Sequence, residues 1–468
     1  MTATATRATV PATTAAIAGF ATRRRTATEA SLNTDAVAIT VLDTLGVAIA
    51  GSTTEAARVI AAWAADIPSV GAAPVWGTGT RAAPADAALV NGTASHALDW
   101  DDASPSVPMH PGAVLVPALL AQAVTTEVTG AQLVEAYHVG AAVFRAVSEA
   151  LPVNASVARG WHNTATSGRL ATAAALANLT RLDTVATEHA LGLVASMSSG
   201  SVTNFGTMTK PLHAGLAARD GVVAVSLAAR GFTADRTQLE DVHGFFAQYG
   251  ERRPDLLAAL PDRLEHWYDA WPTDWSIKRY PCCYGTHHAA DAALDLRDRL
   301  DVADIERIDV SMYAADFGIL TVGRPTTGLE AKFSLEYVVA VALLRGAVTL
   351  ADFEDAAIPD PAVEALRARI HVVPDEDEPA RFASLRVTLR NGRVLHTRTD
   401  LTRGDARNPM THDEVRAKFV GACRSAGWPE ESATDAADQL LALASHASVS
   451  QMVARLGDPT PRSERTTP

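Results

Sequence analysis

The sequence predicts a mainly α protein, with a large all-helical domain formed by both chain ends and a smaller α+β domain inserted as a lid. Three observations carry this expectation. Apolar residues recur at helical spacing through most of the first 230 positions, strand-like alternation and a hairpin signal begin after Pro272, and helical periodicity returns at Asp413. Composition agrees: 468 residues that are 48% hydrophobic but 6% aromatic favour packed helices over a β-sandwich.

Residues 1–26, rich in Ala and Thr, read as a disordered lead-in. Arg23-Arg-Arg25 is followed by no apolar stretch, so no signal peptide is expected there. The helical domain is expected over 27–275 plus 404–457. Its helices run from Leu32 to Ala50 with Gly51 as C-cap, Thr54 to Ala65, Pro84 to Ala97 with proline at the first position, Ala113 to Ala123, Ala131 to Leu151, Ser167 to Leu179, Asp183 to Ser196 and Leu212 to Arg230. Pro74 to Gly77 reads as a short extended piece. In the α+β lid, 276–403, Ile305 to Tyr313 alternates as a strand. Ala383 to Arg390, Asn391-Gly392 and Arg393 to Thr399 form a hairpin, with helices at Ser334–Leu344 and Pro361–Arg369 between. Helices from Asp413 to Cys423 and Ala433 to Ala444 complete the pattern, and 458–468 is expected to fray.

The formal net charge of −13 argues against a nucleic-acid partner, because counterion release needs clustered Lys and Arg. No run reaches the length and purity expected of a membrane span. Cys282, Cys283 and Cys423 form neither a disulfide framework nor an iron–sulfur spacing, which suits a reduced, cytoplasmic setting.

Five stretches place protonatable or cationic groups at the edges of apolar helical runs: His96-Ala-Leu-Asp-Trp-Asp-Asp102, His110-Pro-Gly112, Gly160-Trp-His-Asn-Thr164, Gly206-Thr-Met-Thr-Lys210 with His213, and Lys278-Arg-Tyr-Pro-Cys282 leading to Thr286-His-His288. Taken singly, each has a bland reading. An Asp99-x-Asp101-Asp102 run is usually a solvated helix end, His162 a capping residue, Lys210 a surface cation and Lys278-Arg279 an exposed pair. Taken together they bring imidazoles, a carboxylate and an ammonium to helix ends that could face one pocket, which suits proton transfer on a small anionic substrate. Thr209 and Lys278, the latter with Arg279, are expected to bind a substrate carboxylate. One of His287 and His288 faces the cleft. HExxH, a Gly-rich phosphate loop, a Rossmann fingerprint and a nucleophile elbow are absent, so neither metal nor cofactor is expected.

At these same residues the chain resembles the MmgE/PrpD family of 2-methylcitrate dehydratases, cis-aconitate decarboxylases and iminodisuccinate epimerases. The matching stretches, in the family's order, are Asn91-Gly-Thr-Ala-Ser-His-Ala-Leu-Asp-Trp-Asp-Asp102, His110-Pro-Gly112, Gly160-Trp-His162, Gly206-Thr-Met-Thr-Lys-Pro-Leu-His-Ala-Gly215, Lys278-Arg-Tyr-Pro-Cys-Cys283 with Thr286-His287, and Ala331-Lys-Phe-Ser-Leu-Glu-Tyr337. The resemblance implies a homodimer needing no cofactor, and it implies that Asp99, His110, His162, Lys210 and His287 line the active site. The decarboxylase branch carries a threonine where this chain has Ala103, and a tyrosine before an Arg-Pro pair where this chain has Leu320-Thr-Val-Gly323. Dehydration of a 2-methylcitrate-like acid is therefore the first expectation. Epimerisation of an iminodisuccinate-like acid and decarboxylation of a cis-aconitate-like acid are its alternatives. A Mg²⁺ enzyme using the Asp99 run would need a second acidic motif, and a non-catalytic binding protein would turn nothing over.

Overall fold

A computed structural model describes residues 12–25, 32–67, 71–151, 153–320 and 322–456; the tail expected to fray lies outside them, as do 1–11 and 26 of the lead-in. The described part of that lead-in is not disordered. Thr13–Thr22 is a helix that buries Ile17, Ala18, Phe20 and Ala21. In an Ala/Thr-rich stretch two large apolar residues three apart are a weak periodic signal, but they suffice once a groove receives them.

Most helix boundaries follow from caps and close approach. Asn33, Thr54, Asp183, Ser334 and Thr411 each accept a backbone N–H at the start of a helix, beginning Thr34–Gly51, Glu55–Ala65, Thr184–Met197, Leu335–Arg345 and His412–Ser425. Pro84–Ala97 and Pro111–Ala123 open on proline, which lacks only an N–H that the first turn leaves unpaired anyway. Gly51 is not a C-cap: it is the last helical residue, and a Cβ there would lie 2.0 Å from Ala94 O, so close helix packing selects it. Asn163–Leu179 begins four residues before the expected Ser167, and Thr209–Ala228 begins before Leu212. In both cases packing of the first turn overrides the weak helix propensity of threonine.

The strands form two sheets. A small antiparallel pair joins β1 (Ala73–Val75) to β2 (Thr80–Ala82). The larger sheet holds β3 (Ile305–Tyr313), β4 (Ile370–Asp375), β5 (Ala383–Leu389) and β6 (Val394–Thr399) in the order β4-β3-β5-β6. The hairpin at Asn391-Gly392 pairs Val387 with Leu395, and β3 pairs antiparallel with β5. Strand β4 was not expected. It runs parallel to β3 at the sheet edge, is mostly exposed and ends on Pro374-Asp375, so it lacks the apolar alternation that reveals an interior strand. Along β5 the residues Ala383, Leu385, Val387 and Leu389 are buried, and His287–Arg297 packs against β5 and β6.

Two apolar cores result. One gathers residues from Ile17 to Ile277 and from Val415 to Val453, and the other runs from Tyr280 to Leu395. The chain leaves and re-enters the first core at one place. Ser276 pairs both ways with Ala103 at 2.8 and 2.9 Å, while Ile277 N–H donates to Gly404 O at 3.0 Å. Thr34–Gly51 is long and apolar enough to cross a membrane by length and composition, contrary to expectation, yet 83% of it is buried inside the protein. It lies against Pro84–Ala97 and His412–Ser425.

Candidate active site

Asp99 follows the C-cap of Pro84–Ala97 in the left-handed region, φ +53°, a conformation that aspartate tolerates better than most residues. Its carboxylate accepts from Lys210 Nζ at 2.8 Å and from Lys278 Nζ, and Lys278 also donates to the Asp99 carbonyl at 3.0 Å. Lys210 lies in the first turn of Thr209–Ala228, with its Nζ 5.4 and 5.1 Å from the ring centres of Phe205 and Phe333. Burial works against the Asp99 carboxylate, but Lys210 and Lys278 outweigh it and hold its pKa well below the usual range. Burial likewise opposes the Lys278 ammonium, and Asp99 and Asp101 more than compensate. The cluster is a buried ion triad of one anion and two cations.

The acidic run is thus not a solvated helix end. Asp99, Asp101 and Asp102 are all buried, each against different partners. Asp101 receives His96 Nδ1 at 2.8 Å and lies 3.2 Å from His110 Nδ1, while Asp102 accepts from Gly112 N–H at 2.8 Å and Trp275 Nε1–H at 3.1 Å. Burial and the neighbouring Asp101 and Asp43 push the Asp102 carboxyl up to about 8.

Around the triad, burial favours the neutral form of His96, His162, His213 and His287. Burial pulls His96 down to about 4 despite Asp101, and burial with help from His96 and Lys210 holds His162 well below the usual imidazole range. His110 is the N-cap residue of Pro111–Ala123, and its ring centroid lies 4.6 Å from that of His96. His162 caps Asn163–Leu179, stacks 6.0 Å from His96, and has its Nδ1 3.1 Å from Nδ1 of His213. Because only one of two hydrogen-bonded neutral imidazoles can donate, the tautomers of His162 and His213 are coupled: a proton on Nδ1 of one leaves Nδ1 of the other as acceptor. His287, first residue of His287–Arg297, has its ring centre 5.1 and 5.2 Å from those of Tyr280 and Tyr284. Burial and then Lys278 keep it well below the usual imidazole range. Its Nδ1 and the Nε2 of His96 are buried without a hydrogen-bond partner among the described residues.

His96, Asp101 and His110 bring three potential ligand atoms within 4.8 Å of one another. Their bonding does not suit a cation. His110 Nδ1 lies 2.8 Å from the carbonyl of Asp102, which can only accept, and His96 Nδ1 faces an ionised carboxylate. Both nitrogens therefore carry protons and offer no lone pair.

Of the residues expected at the site, Asp99, Lys210 and Lys278 share direct contacts, and His110 and His162 both adjoin His96. His287 lies within the field of Lys278 and Asp99. Thr209 is half-buried at the start of the Lys210 helix. Arg279 departs from expectation. It is half exposed, with its guanidinium 3.9 Å from Asp291, so no Lys278–Arg279 clamp forms; successive residues of an extended segment point to opposite sides. His288 is buried toward Asp316 and Arg381. His96, Asp101 and His213, named within the quoted stretches, were assigned no role at the site, and Phe205 and Phe333 beside or within those stretches carried no chemical signal.

The MmgE/PrpD N-terminal domain matches residues 15–256 and the MmgE/PrpD C-terminal domain residues 280–442. The chain belongs to the MmgE/PrpD family. Among its relatives is the cis-aconitate decarboxylase of Homo sapiens, 30% identical over 412 residues that cover 83% of each chain. The cis-aconitate decarboxylase of Mus musculus is 29% identical over 400 residues, covering 81% of this chain and 80% of the relative. The 2-methylcitrate dehydratase of Cupriavidus necator is 34% identical over 157 residues, 30% of this chain and 32% of the relative. Similarity to decarboxylases thus runs through both MmgE/PrpD domains, whereas similarity to this dehydratase covers a third of the chain or less. The expectation that put dehydration first is revised accordingly.

Proposed function

We propose that the chain is a cofactor-independent lyase that decarboxylates a small tricarboxylate of the cis-aconitate type. The observation that carries this reading is the buried pairing of Asp99 with Lys210 and Lys278 among neutral imidazoles. Two ammonium groups can neutralise the carboxylates that remain on the substrate. The surrounding burial, with Phe205 and Phe333 over Lys210, favours a carboxylate that leaves as uncharged CO₂. The C–COO⁻ bond breaks, its electron pair passes into the adjacent unsaturated system, and one proton is delivered to carbon. Lys210 or the N–H of His162, oriented by His213, is the donor, and solvent restores the proton. His96 Nε2 and His287 Nδ1 supply acceptors for protonated groups of the substrate. Because Asp99, His162, Lys210, Lys278 and His287 are all buried, substrate entry requires the second core, which carries His287 and borders Phe333, to part from the first. That is the role expected of a lid.

Dehydration is the second reading. It is favoured by Ala103, which puts a methyl where the decarboxylase branch has a hydroxyl, and by the lack of tyrosine in 320–323. NMR of cis-aconitate, 2-methylcitrate and iminodisuccinate in D₂O separates the readings. Loss of CO₂ from cis-aconitate with one deuteron on the product's carbon is the expected result. Gain or loss of water without CO₂ would replace decarboxylation by dehydration, and deuterium exchange alone would indicate an epimerase. Turnover of none of the three would remove the lyase reading.

A further inference from the structure

Three lysines from three distant parts of the chain end on three successive carbonyls. Lys332 Nζ donates to Leu98 O at 2.8 Å, Lys278 Nζ to Asp99 O at 3.0 Å, and Lys418 Nζ to Trp100 O at 2.8 Å. Each makes a further tie. Lys332 reaches Pro281 O at 2.7 Å, Lys278 reaches the Asp99 carboxylate, and Lys418 reaches Lys278 O at 2.9 Å and Asp43 Oδ1 at 2.6 Å. Lys418 also lies 4.7 Å from the centre of the Trp100 ring. Lysines are seldom fully buried unless paired, and here three converge on one tripeptide whose middle residue is left-handed. A non-glycine residue in that conformation persists only where its surroundings over-determine it. Lys418 comes from His412–Ser425, Lys332 from the second core's side of the molecule, and neither contacts the Asp99 side chain by a hydrogen bond.

We infer that Lys418 and Lys332 are positioning residues, which hold the Leu98–Trp100 backbone so that the Asp99 carboxylate presents Lys210 and Lys278 to a substrate. The inference rests on the reading of that ion triad as the substrate-binding centre, and it adds two residues whose hydrogen bonds to the tripeptide go to its backbone carbonyls. Lys332 ties Leu98 to Pro281 and so spans the two cores at the site, while Lys418 ties Trp100 to the carbonyl of Lys278. Removing either tie frees one end of the tripeptide without touching a group proposed to meet the substrate.

Hydrogen–deuterium exchange of the 96–103 segment tests the inference without a substrate, since Asp99 N–H and Ala103 N–H are both bonded to carbonyls in the held state. The variants are Lys332→Met, and Lys418→Met combined with Asp43→Asn so that no buried carboxylate loses its cation. Exchange in 96–103 is expected to quicken at least tenfold in each, with the remainder of the chain and the circular dichroism unchanged. On whichever acid the wild type turns over, kcat/KM falls at least tenfold and the alkaline limb of its pH profile moves by half a unit or more. Unchanged exchange overturns the inference, as does a fall in activity with an unmoved alkaline limb. Should the paired variant not fold, Lys332→Met decides. A wild type inert toward every acid, with quickened exchange in the variants, overturns the functional reading and leaves the positioning role standing.

Discussion

At Lys210 two requirements meet: a buried ammonium needs a counter-ion, and it must remain available to an incoming anion. Asp99 satisfies the first at 2.8 Å, and the aromatic faces of Phe205 and Phe333 limit competition from water. Lys210→Ala and His162→Ala should each leave the fold intact and lower turnover at least about a hundredfold, the scale of a positioned acid or base; steady-state kinetics with the acid identified by NMR checks both. His213→Phe should cost less, about tenfold, and should shift the pH profile because the tautomer of His162 is no longer coupled to that of a second imidazole; an unaltered profile would deny His213 that part. Asp99, His162 and Lys210 stand out in the sequence because each interrupts an apolar helical run with a polar group that needs a partner. Lys418 gave no such signal. It sits between Ala417 and Phe419 on an ordinary amphipathic helix, and the carbonyls it binds are 318 and 140 residues away.

Helices Pro84–Ala97 and Thr209–Ala228 make the site at the element scale, since one ends next to Asp99 and the other begins next to Lys210. They cross with their backbones in contact. A Cβ on Gly92 would stand 2.8 Å from Gly215 Cα, and one on Gly215 would stand 2.3 Å from both Leu89 O and Thr93 Oγ1. Gly215→Ala should destabilise the protein by about 1–3 kcal/mol through overpacking and should weaken activity by displacing Lys210 from Asp99; chemical denaturation and kinetics measure the two effects. Apolar periodicity located these helices to within a few residues because their packing is dense on several faces. It could not show that they cross at glycines, because a glycine in a helical pattern looks the same whether it meets another backbone or open water. The hairpin at Asn391-Gly392 was legible for the opposite reason, as its turn chemistry is local. Strand β4 was not, because a parallel edge strand takes its place from a distant partner.

Across the whole molecule several ionisable groups are buried, Asp43, Asp101 and Asp102 among them. Asp102 titrates at about 8 in the folded protein against an unfolded value near 3.8. Its folded pKa is raised, so the stability linked to its proton is present below about 4 and is lost as pH rises toward 8. Asp102→Asn cannot ionise, and the melting temperature of the variant minus that of the wild type should grow between pH 5 and pH 8.5. A constant difference would place the titration elsewhere. The division into helical body and α+β segment could be anticipated because hydrophobic period changes from 3.6 to 2 and back. The meeting of Ala103, Ser276 and Gly404 could not, since backbone pairing between remote loops leaves no trace in side-chain pattern.

Binding of tricarballylate, a saturated tricarboxylate with no reactive double bond, tests the central claim most directly by calorimetric titration of the wild type and Lys210→Ala. Saturable binding to the wild type that weakens at least about thirtyfold in the variant is predicted, as expected for the loss of one buried ion pair. Equal affinity in both proteins would contradict the assignment of the Asp99–Lys210–Lys278 triad as the place where a carboxylate substrate is held.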